Sequence, residues 1–370
     1  MHAAPAVGRA DVPRSVKEIG AEWLTATLCA QTPGAQVRSV RRLGESVGTT
    51  TRAPLEVTYN EAGANARLPT RVFAKCTTGL GQRLMLGLGG LVYGEPGFYS
   101  QVRPELEIEA PIGYHAGVEP RSWRSIVVVE DVSATRAAHF WTPWTRTTRA
   151  QLEDLLANVA IWHGALWNSP RLAQWRWLKT PWDHMRLIDA LIGLADRRRV
   201  GAERACAVIV PRLRSRQSDL YEGMRRSMQR AGREPHTYLH GDLHIANTYL
   251  TSQARMGVVD WQVALRGSWA FDYGYAVATG LAVEERRAWE RELLEFYLER
   301  LAAAGGAQIP RDVAWNAYRS AMFYPYFAWV YTIGRSRLQP NFQPDEVSLT
   351  MIERISSAID DLGSLPAVGL

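Results

Sequence analysis

The first third of the chain alternates apolar and polar positions as β-strands do. Residues 37–59 predict a strand, a turn of Gly, Ser and Thr at residues 44–51, and a second alternating strand. Two continuous apolar runs follow, RVFAK at residues 71–75 and IVVVEDV at residues 126–132, and such runs are typical of buried strands. This part of the chain is therefore predicted to be rich in strands.

The pattern becomes helical after residue 132. A capping box of sequence TRAQ at residues 148–151 begins a stripe of apolar residues that recurs every 3.6 positions up to Asn168. Residues 284–304 predict a second amphipathic helix, and residues 311–334 predict a third that bends at Pro325. Strands followed by helices indicate an α+β chain.

One segment fits neither pattern. Residues 77–91, TTGLGQRLMLGLGGL, are rich in Gly and Leu and carry a single charge at Arg83. The segment is too short and too broken to span a bilayer, which takes about 20 apolar residues. We expect either a buried loop or a mobile flap.

Composition sets limits on function. The 370 residues are enough for two lobes, each with a core of its own. The net charge of +6 comes from Arg spread along the chain, and no dense basic run interleaves with aromatic residues, which argues against nucleic-acid binding. Three scattered cysteines imply no disulfide framework, and the first residues lack the apolar core of a secretory signal, so a cytoplasmic location is expected.

The most informative stretch is Tyr238–Gln262, YLHGDLHIANTYLTSQARMGVVDWQ. Asp242 and Asn247 lie five residues apart, the step found in the HRDxxxxN catalytic loop of protein kinases, and Asp260 ends the apolar run GVVD. In that arrangement one carboxylate accepts the proton of an attacking hydroxyl, and an amide and a second carboxylate hold Mg²⁺. The spacing points to phosphoryl transfer.

Three other interpretations of the same residues remain open at this point. His240, Asp242 and His244 form an HxDxH set that suits zinc, which would favour a zinc-dependent hydrolase. Alternatively, His-Gly-Asp opens an ordinary turn. The same motifs would also be present in a nucleotide-binding protein without turnover.

HGDLHIAN followed by VVDWQ resembles the motifs of the aminoglycoside phosphotransferase and choline kinase superfamily. VFAK, GEPGFY and VVVEDV resemble most closely its ecdysteroid-kinase-like branch, and the resemblance covers roughly residues 40–330. It implies a two-lobed, protein-kinase-like α+β fold with a small N-terminal antiparallel β-sheet lobe bearing a helix and a larger, mainly helical C-terminal lobe. We expect a nucleotide-binding lobe at residues 1–132, of which 1–20 are a poorly ordered lead-in, and a catalytic and substrate lobe at residues 133–370.

The resemblance also implies roles for the residues of the two motifs. Asp242 is expected to be the catalytic base, with His240 bracing its loop. Asn247 and Asp260 are expected to bind Mg²⁺, and Asp272 is expected to brace the catalytic segment. A lone His163 beside an apolar helical stripe is expected to be a packed core residue.

The nucleotide site is expected in the first lobe. Lys75 is one of three lysines, the other 40 of 43 basic residues being Arg, so a lysine on a buried strand is an unusual choice that suits the phosphates of ATP. Glu95 is its expected partner. The turn residues Gly48, Thr49 and Thr50 are expected to cover the phosphates. Backbone groups from Glu130 to Val132 are expected to bind the adenine, although the acids there would equally suit the solvent-facing end of an edge strand, and GTP stays possible.

The acceptor is predicted from charge. The aromatic segment MFYPYFAWVYTIGRSR, residues 322–337, carries no carboxylate, and Glu284, Glu285, Glu290 and Glu292 are interpreted as one solvated helix face. An apolar-bodied, uncharged or anionic hydroxylated small molecule is therefore favoured: a steroid-like, glycosidic or hydroxyacyl compound. An aromatic stripe that is simply core, and a kinase of aminoglycosides or other antibiotics, are the alternatives. No membrane span is predicted, and the oligomeric state stays open.

Overall fold

The structure, a computed structural model, describes the backbone of residues 5–6 and residues 12–77, 79–336 and 343–370. The chain divides into two compact units. One takes the chain up to His139 together with Thr251–Gln253 and Val258–Val263; the other takes Phe140–Leu250, Ala254–Gly257 and Ala264–Leu370. The division into a nucleotide lobe at residues 1–132 and a substrate lobe at residues 133–370 is a statement about function and stays a prediction.

The first unit contains a seven-stranded sheet that is antiparallel except at one edge. Its order is Pro5–Ala6, Gly113–Glu119, Arg124–Glu130, Arg71–Thr77, Thr51–Tyr59 and Val37–Arg42, with Ser46–Val47 paired to Thr51–Tyr59. Pro5–Ala6 pairs in parallel with Gly113–Glu119. The strands predicted at residues 37–59, 71–75 and 126–132 are therefore confirmed, and Arg124–Glu130 is a central strand.

The core of this unit lies on one face of the sheet. On the Thr51–Tyr59 strand, Ala53, Leu55 and Val57 are fully buried while the residues between them are not, because successive side chains of a strand point to opposite faces. Val12 and Val16 join the same cluster. Residues 12–20 are thus packed, against expectation; the first eleven residues of the predicted lead-in lie outside the residues whose side chains are described.

Helices of the first unit complete this core. They are Ala21–Leu28, Glu61–Asn65, Leu80–Leu88, Gly94–Gly97 and Val132–Thr135, with a π-helical turn at Phe98–Val102 and 3₁₀ turns at Val16–Glu18, Leu91–Tyr93 and Arg103–Glu105. The buried-loop interpretation of residues 77–91 is wrong for the described part, because Leu80–Leu88 is a regular helix; the mobile-flap interpretation stays a prediction. Gly87 of this helix lies against the ring of Trp123, where a Cβ would be 2.2 Å from Cδ2, so the close contact requires glycine.

The second unit is mainly helical. Its helices are Arg149–Ala165, Arg171–Gln174, Pro181–Ile192, Leu194–Arg204, Pro211–Arg214, Gln217–Ala231, Ala270–Gly280, Val283–Ala303, Arg311–Ala321, Phe323–Ile333, Asp345–Asp361 and Ser364–Ala367. Thr237–Leu239 pairs with Leu265–Gly267. Other short strands of the described chain are His139–Phe140, Thr248–Leu250 and Met256–Val258. A 3₁₀ turn lies at Ile245–Asn247 in this unit and another at Trp261–Val263 in the first unit.

Two of the three predicted helices have the expected form. Thr148 caps Arg149–Ala165 through a capping box with Gln151. The third was predicted to bend at Pro325, but the chain breaks at Met322 into two helices, Arg311–Ala321 and Phe323–Ile333. Pro325 lies in the first turn of the second helix, where backbone N–H groups have no intrahelical acceptor and a proline costs little.

A buried charge cluster ties helices of the second unit together. Arg286 is only 1% exposed, and its Nη1 lies 2.6 Å from Glu290 Oε2 while its other terminal nitrogen contacts Asp361. The Tyr318 hydroxyl donates to the same Glu290 carboxylate at 2.9 Å. Glu290 is therefore a buried ion-pair partner, and its assignment to a solvated face is wrong.

In the described part of the chain, no helix is long and apolar enough to cross a membrane, and the predicted cytoplasmic location stays a prediction.

Arg286→Ala is expected to lower the free energy of unfolding by about 3–5 kcal/mol, because it leaves the carboxylates of Glu290 and Asp361 without their buried cation. Arg287 is the matched control, since it contacts the same Asp361 from a half-exposed position and its loss should cost about 0–1 kcal/mol. Urea unfolding of both variants measures the difference. Equal losses of unfolding free energy in the Arg286 and Arg287 variants would contradict the role of Arg286 as the buried cation of this cluster.

Candidate active site

Lys75 is the centre of the charged group in the first unit. Its Nζ lies 2.7 Å from Glu95 Oε2 and 2.7 Å from Asp260 Oδ1, and its side chain is 7% exposed. Burial lowers the pKa of the Lys75 ammonium, but the carboxylates of Asp260 and Glu95 outweigh it, so the net shift is upward. The ammonium is therefore held protonated between two acids, and Lys75, Glu95 and Asp260 are brought together as a group.

Asp260 reaches Lys75 from a left-handed backbone conformation, with φ of +67°. Aspartate tolerates this region better than most residues, and such conformations concentrate at functional sites. Its second oxygen, Oδ2, lies 3.6 Å from Nη2 of Arg52. Both oxygens of the expected metal ligand therefore face cations.

The helix that carries Glu95 packs directly on the segment that carries Asp260. A Cβ on Gly94 would lie 2.3 Å from the carbonyl oxygen of Gln262, so only glycine allows this approach. The ring of Phe98 stacks on that of Trp261 with centroids 3.7 Å apart and planes 8° from parallel. The motifs GEPGFY and VVDWQ thus interlock, which holds Glu95 and Asp260 on Lys75.

The expected phosphate turn has one feature of a ligand site. The Thr50 side chain is 4% exposed, and its hydroxyl has no hydrogen-bond partner among the described residues. Gly48 donates its N–H to the Thr50 carbonyl at 2.9 Å, and its own carbonyl accepts from Gln82 Nε2 at 2.9 Å. Thr49 lies between them on the turn and is partly exposed. Thr50 lines a small cavity together with Lys75 and Glu95.

The predicted adenine-binding segment is firmly held. Glu130 donates its N–H to the Ile112 carbonyl at 2.8 Å, and its carboxylate contacts Arg136 and the Thr135 hydroxyl. Asp131 pairs with Arg71 at 3.0 Å, and both acids are 7% exposed. They are not the solvent-facing end of an edge strand. Val132 begins the helix Val132–Thr135, so its N–H is one of the donors that a helix leaves unpaired at its start.

The second unit holds Asp242 among polar partners. Its Oδ1 accepts from the Tyr275 hydroxyl at 3.0 Å, and its Oδ2 lies 3.3 Å from Asn247 Nδ2 and 3.6 Å from His244 Nε2. Partial burial works to raise the pKa of Asp242, but His244, His240 and the Tyr275 hydroxyl outweigh it and lower the pKa. The carboxylate is therefore ionised and ready to accept a proton over a wide pH range.

Asn247 is oriented by its amide nitrogen, which donates to the Asp242 carbonyl at 2.9 Å. The same nitrogen lies 3.3 Å from Asp242 Oδ2, so both contacts with Asp242 use the nitrogen and neither uses the amide oxygen. The Nδ1 of His240 accepts the N–H of Asp242 at 3.2 Å, so this ring nitrogen is committed to the backbone of the loop. Among the described residues, no group of three His, Cys, Asp or Glu side chains is arranged to hold a metal by itself.

The loop that contains Asp242 is anchored by Asp272. Asp272 is fully buried, and its oxygens accept the N–H of His240 at 2.6 Å and the N–H of Gly241 at 2.9 Å. Gly241 has φ of +79°, which favours glycine at this turn. His163, also fully buried, lies 3.3 Å from Asp272 and 2.7 Å from the Tyr297 hydroxyl. The positions of Asp272 and His163 therefore agree with their expected structural roles.

The sequence profile of the phosphotransferase enzyme family (APH) matches residues 105–324, more than half of the chain. This chain belongs to that family. The predicted superfamily and the predicted enzyme class, a phosphotransferase with an alcohol group as acceptor, are thereby confirmed. The closer resemblance to the ecdysteroid-kinase-like branch stays a prediction. No curated protein sequence matches this chain significantly.

Solved structures resemble the fold of this phosphotransferase at low sequence identity. Choline kinase from Cryptosporidium parvum Iowa II is 12% identical over 94% of this chain and 97% of its own, with a TM-score of 0.53. The microcompartment-associated aminopropanol kinase is 16% identical over 91% and 94%, with a TM-score of 0.49. Choline kinase LicA from Streptococcus pneumoniae is 13% identical over 93% and 97%, with a TM-score of 0.48. The first of these supports the predicted protein-kinase-like α+β fold.

Three residues that contact the candidate site residues or hold them in place were not predicted from the sequence. Tyr275 contacts Asp242 from the Ala270–Gly280 helix, and nothing in its local sequence marks it. Arg52 contacts Asp260, and its place two residues after Thr50 on an alternating strand was a usable signal. Trp261 packs against Phe98, and its place directly after Asp260 in VVDWQ was another.

Tyr275→Phe in this phosphotransferase is expected to move the acid limb of its pH–rate profile to higher pH. The phenol stabilises ionised Asp242, so its loss raises the pKa of that carboxylate, and activity is then lost earlier as the pH falls. The pH dependence of kcat/KM measures this. Tyr326→Phe removes an equally buried phenol that contacts Gln217 and should leave the limb in place. An unshifted limb in Tyr275→Phe would contradict the assignment.

Proposed function

We propose that this phosphotransferase is an ATP-dependent small-molecule kinase that transfers the γ-phosphate to a hydroxyl of an uncharged or anionic acceptor with an apolar body. Asp242 is the catalytic base, Asn247 and Asp260 hold Mg²⁺, and Lys75 with Glu95 binds the nucleotide phosphates. GTP stays a possible donor. The acceptor is a small hydroxylated molecule of steroid-like, glycosidic or hydroxyacyl type.

The observation that carries the proposal is the buried Lys75 ammonium between Glu95 and Asp260, 2.7 Å from each. In protein kinases a strand lysine paired with a helix glutamate must be in place for activity, and the metal-binding aspartate lies beside it. A structural ion pair would need one carboxylate. The second, on a strained backbone, makes sense as a ligand that leaves Lys75 for a metal.

The face of the sheet that carries Lys75 is charged at one end and apolar at the other, which suits a nucleotide. Lys75 is the register partner of Val127. Two residues away along the same strands, and therefore on the same face, lie Pro54, Phe73 and Val129, which are register partners across three neighbouring strands. Opposed residues of neighbouring strands share a face. The charged end suits phosphates and the apolar end suits a base. The buried Thr50 hydroxyl without a partner supports the phosphate end.

Each residue then has a separate task. Asp242 accepts the proton of the acceptor hydroxyl as the oxygen attacks, and the Tyr275 hydroxyl fixes the carboxylate while leaving it ionised. Asn247 and Asp260 would hold Mg²⁺, which would neutralise the negative charge that develops on the transferred phosphate. Lys75 adds a positive charge on the α/β-phosphates. His240 and Asp272 hold the loop so that Asp242 needs little reorganisation, which is the main contribution of a protein to phosphoryl transfer.

The acceptor class is supported by the charges beside Asp242. Asp242 and Asp272 are acids near the Tyr324 hydroxyl, which donates to the Gly241 carbonyl in the catalytic loop. Asp272 is committed to backbone amides. A polycationic aminoglycoside requires several uncommitted carboxylates. The aromatic residues of the helix Phe323–Ile333 are buried and belong to the core, so they do not support the acceptor argument, and Arg337 at the end of the predicted segment lies outside the described residues.

Mg·ATP is expected to raise the melting temperature of the wild-type protein, because ligand binding at about 100 times Kd adds about 2.7 kcal/mol of stability. Asp260→Ala should lose the magnesium-dependent part of the shift, and Lys75→Met should weaken the shift with or without magnesium. Thermal unfolding with Mg·ATP, Mg·GTP and ATP in EDTA measures both effects.

Lys179→Met is the matched control for the nucleotide experiment, because it removes a lysine of the second unit that is not part of the proposed nucleotide site. Lys179 directly precedes Thr180, the N-cap of the Pro181–Ile192 helix. It should shift as the wild type does. A wild type that no nucleotide stabilises would overturn the proposed function. So would a full magnesium-dependent shift in Asp260→Ala.

In a screen with Mg·ATP, neutral or anionic hydroxylated compounds are expected to be phosphorylated with kcat/KM at least about tenfold above that of aminoglycosides, the effect of about 1.4 kcal/mol of unpaired charge. Mass spectrometry of the acceptor measures the added phosphate. Asp242→Asn, which removes the base while keeping the shape, is the control for uncatalysed transfer. Efficient phosphorylation of an aminoglycoside would favour the antibiotic phosphotransferase alternative.

A further inference from the structure

Arg52 occupies a position from which it can serve the same ligand as Lys75. It lies on the Thr51–Tyr59 strand, directly after the expected phosphate turn, and it is the register partner of Lys75 on the neighbouring strand Arg71–Thr77. Directly opposed residues of antiparallel strands project from the same face of the sheet. Arg52 and Lys75 therefore form a pair of cations beside Thr50.

The pairing of Arg52 differs from that of its neighbours. Arg41 lies 2.6 Å from Glu56, and Arg71 lies 3.0 Å from Asp131, so both make close ion pairs. Arg52 contacts only Asp260 among the described carboxylates, at a loose 3.6 Å, and its side chain is 40% exposed. Its guanidinium is thus held weakly and is able to turn toward another anion.

The charges balance only while Asp260 faces the two cations. Lys75 and Arg52 then oppose Glu95 and Asp260. When Asp260 turns to a metal, Arg52 loses its partner on the same face where the phosphates are expected. A guanidinium binds phosphate through two parallel N–H donors, which an ammonium does not. A nucleotide polyphosphate supplies the negative charge that Arg52 then lacks.

We propose that Arg52 is a second phosphate-binding residue of the nucleotide site and that it holds Asp260 when no nucleotide is bound. The ligand class is a nucleoside di- or triphosphate, and the contact is to the phosphates beyond the first. This inference rests on the proposed function, because it assigns Arg52 to the same nucleotide. Arg52 is a positioning residue for Asp260 in one state and a ligand contact in the other.

The test compares ADP with adenosine in the presence of Mg²⁺, the condition in which Asp260 can turn to the metal and release Arg52 toward the phosphates. Arg52→Gln is expected to weaken ADP binding about tenfold, the loss of one charge-assisted contact, and to leave adenosine binding unchanged. Arg52→Lys keeps the charge but not the two parallel donors, and it should lie between Gln and the wild type. Isothermal titration calorimetry gives the affinities.

Arg41→Gln is the matched control, because it removes an arginine from the same sheet whose partner is Glu56. It should bind ADP as the wild type does. An Arg52→Gln variant with the wild-type ratio of ADP to adenosine affinity would overturn the inference and leave the proposed function intact. A wild type that binds neither ligand, nor Mg·ATP, would overturn both.

Discussion

The first unit is organised around one buried ammonium. Lys75 is 7% exposed and is compatible with a sheet interior because carboxylates face it, since a buried charge without a partner is strongly destabilising. To supply those carboxylates the chain brings a helix and a distant segment to the same strand. The contact of Gly94 with Gln262 and the stack of Phe98 on Trp261 follow from that requirement.

The second unit meets a comparable constraint with the opposite charge. Asp272 is a fully buried carboxylate that accepts two backbone N–H groups from the loop of Asp242. These bonds fix the turn at Gly241 and therefore the direction of the Asp242 side chain. Tyr275, one helical turn after Asp272, then reaches Asp242 itself. A single helix thus both anchors the loop and helps to keep its carboxylate ionised, which links folding of the unit to its chemistry.

Particular residues show how much of the structure could be predicted from the sequence. The spacing of Asp242, Asn247 and Asp260 and the scarcity of lysine selected residues that the structure places in two groups. Asp242 lies with Asn247, and Asp260 lies with Lys75. The strands were predicted because burial on one face imposes a period of two. The helix at Leu80–Leu88 was missed because its glycines lower helix propensity, and its formation depends on packing. The break at Met322 was missed because a proline in a helical pattern normally marks the break itself.

The sequence by itself determined which side chains are candidates for the chemistry, the change from strands to helices along the chain, and the phosphotransferase family, since these depend on local periodicity and on motif spacing. Only the tertiary structure decided that Arg52 faces Asp260, that Tyr275 donates to Asp242, that Glu290 is buried, and that Glu130 and Asp131 are held by Arg136 and Arg71. These contacts join residues whose separation along the chain carries no signal. They exist because buried charges must find partners wherever the packed chain brings them close.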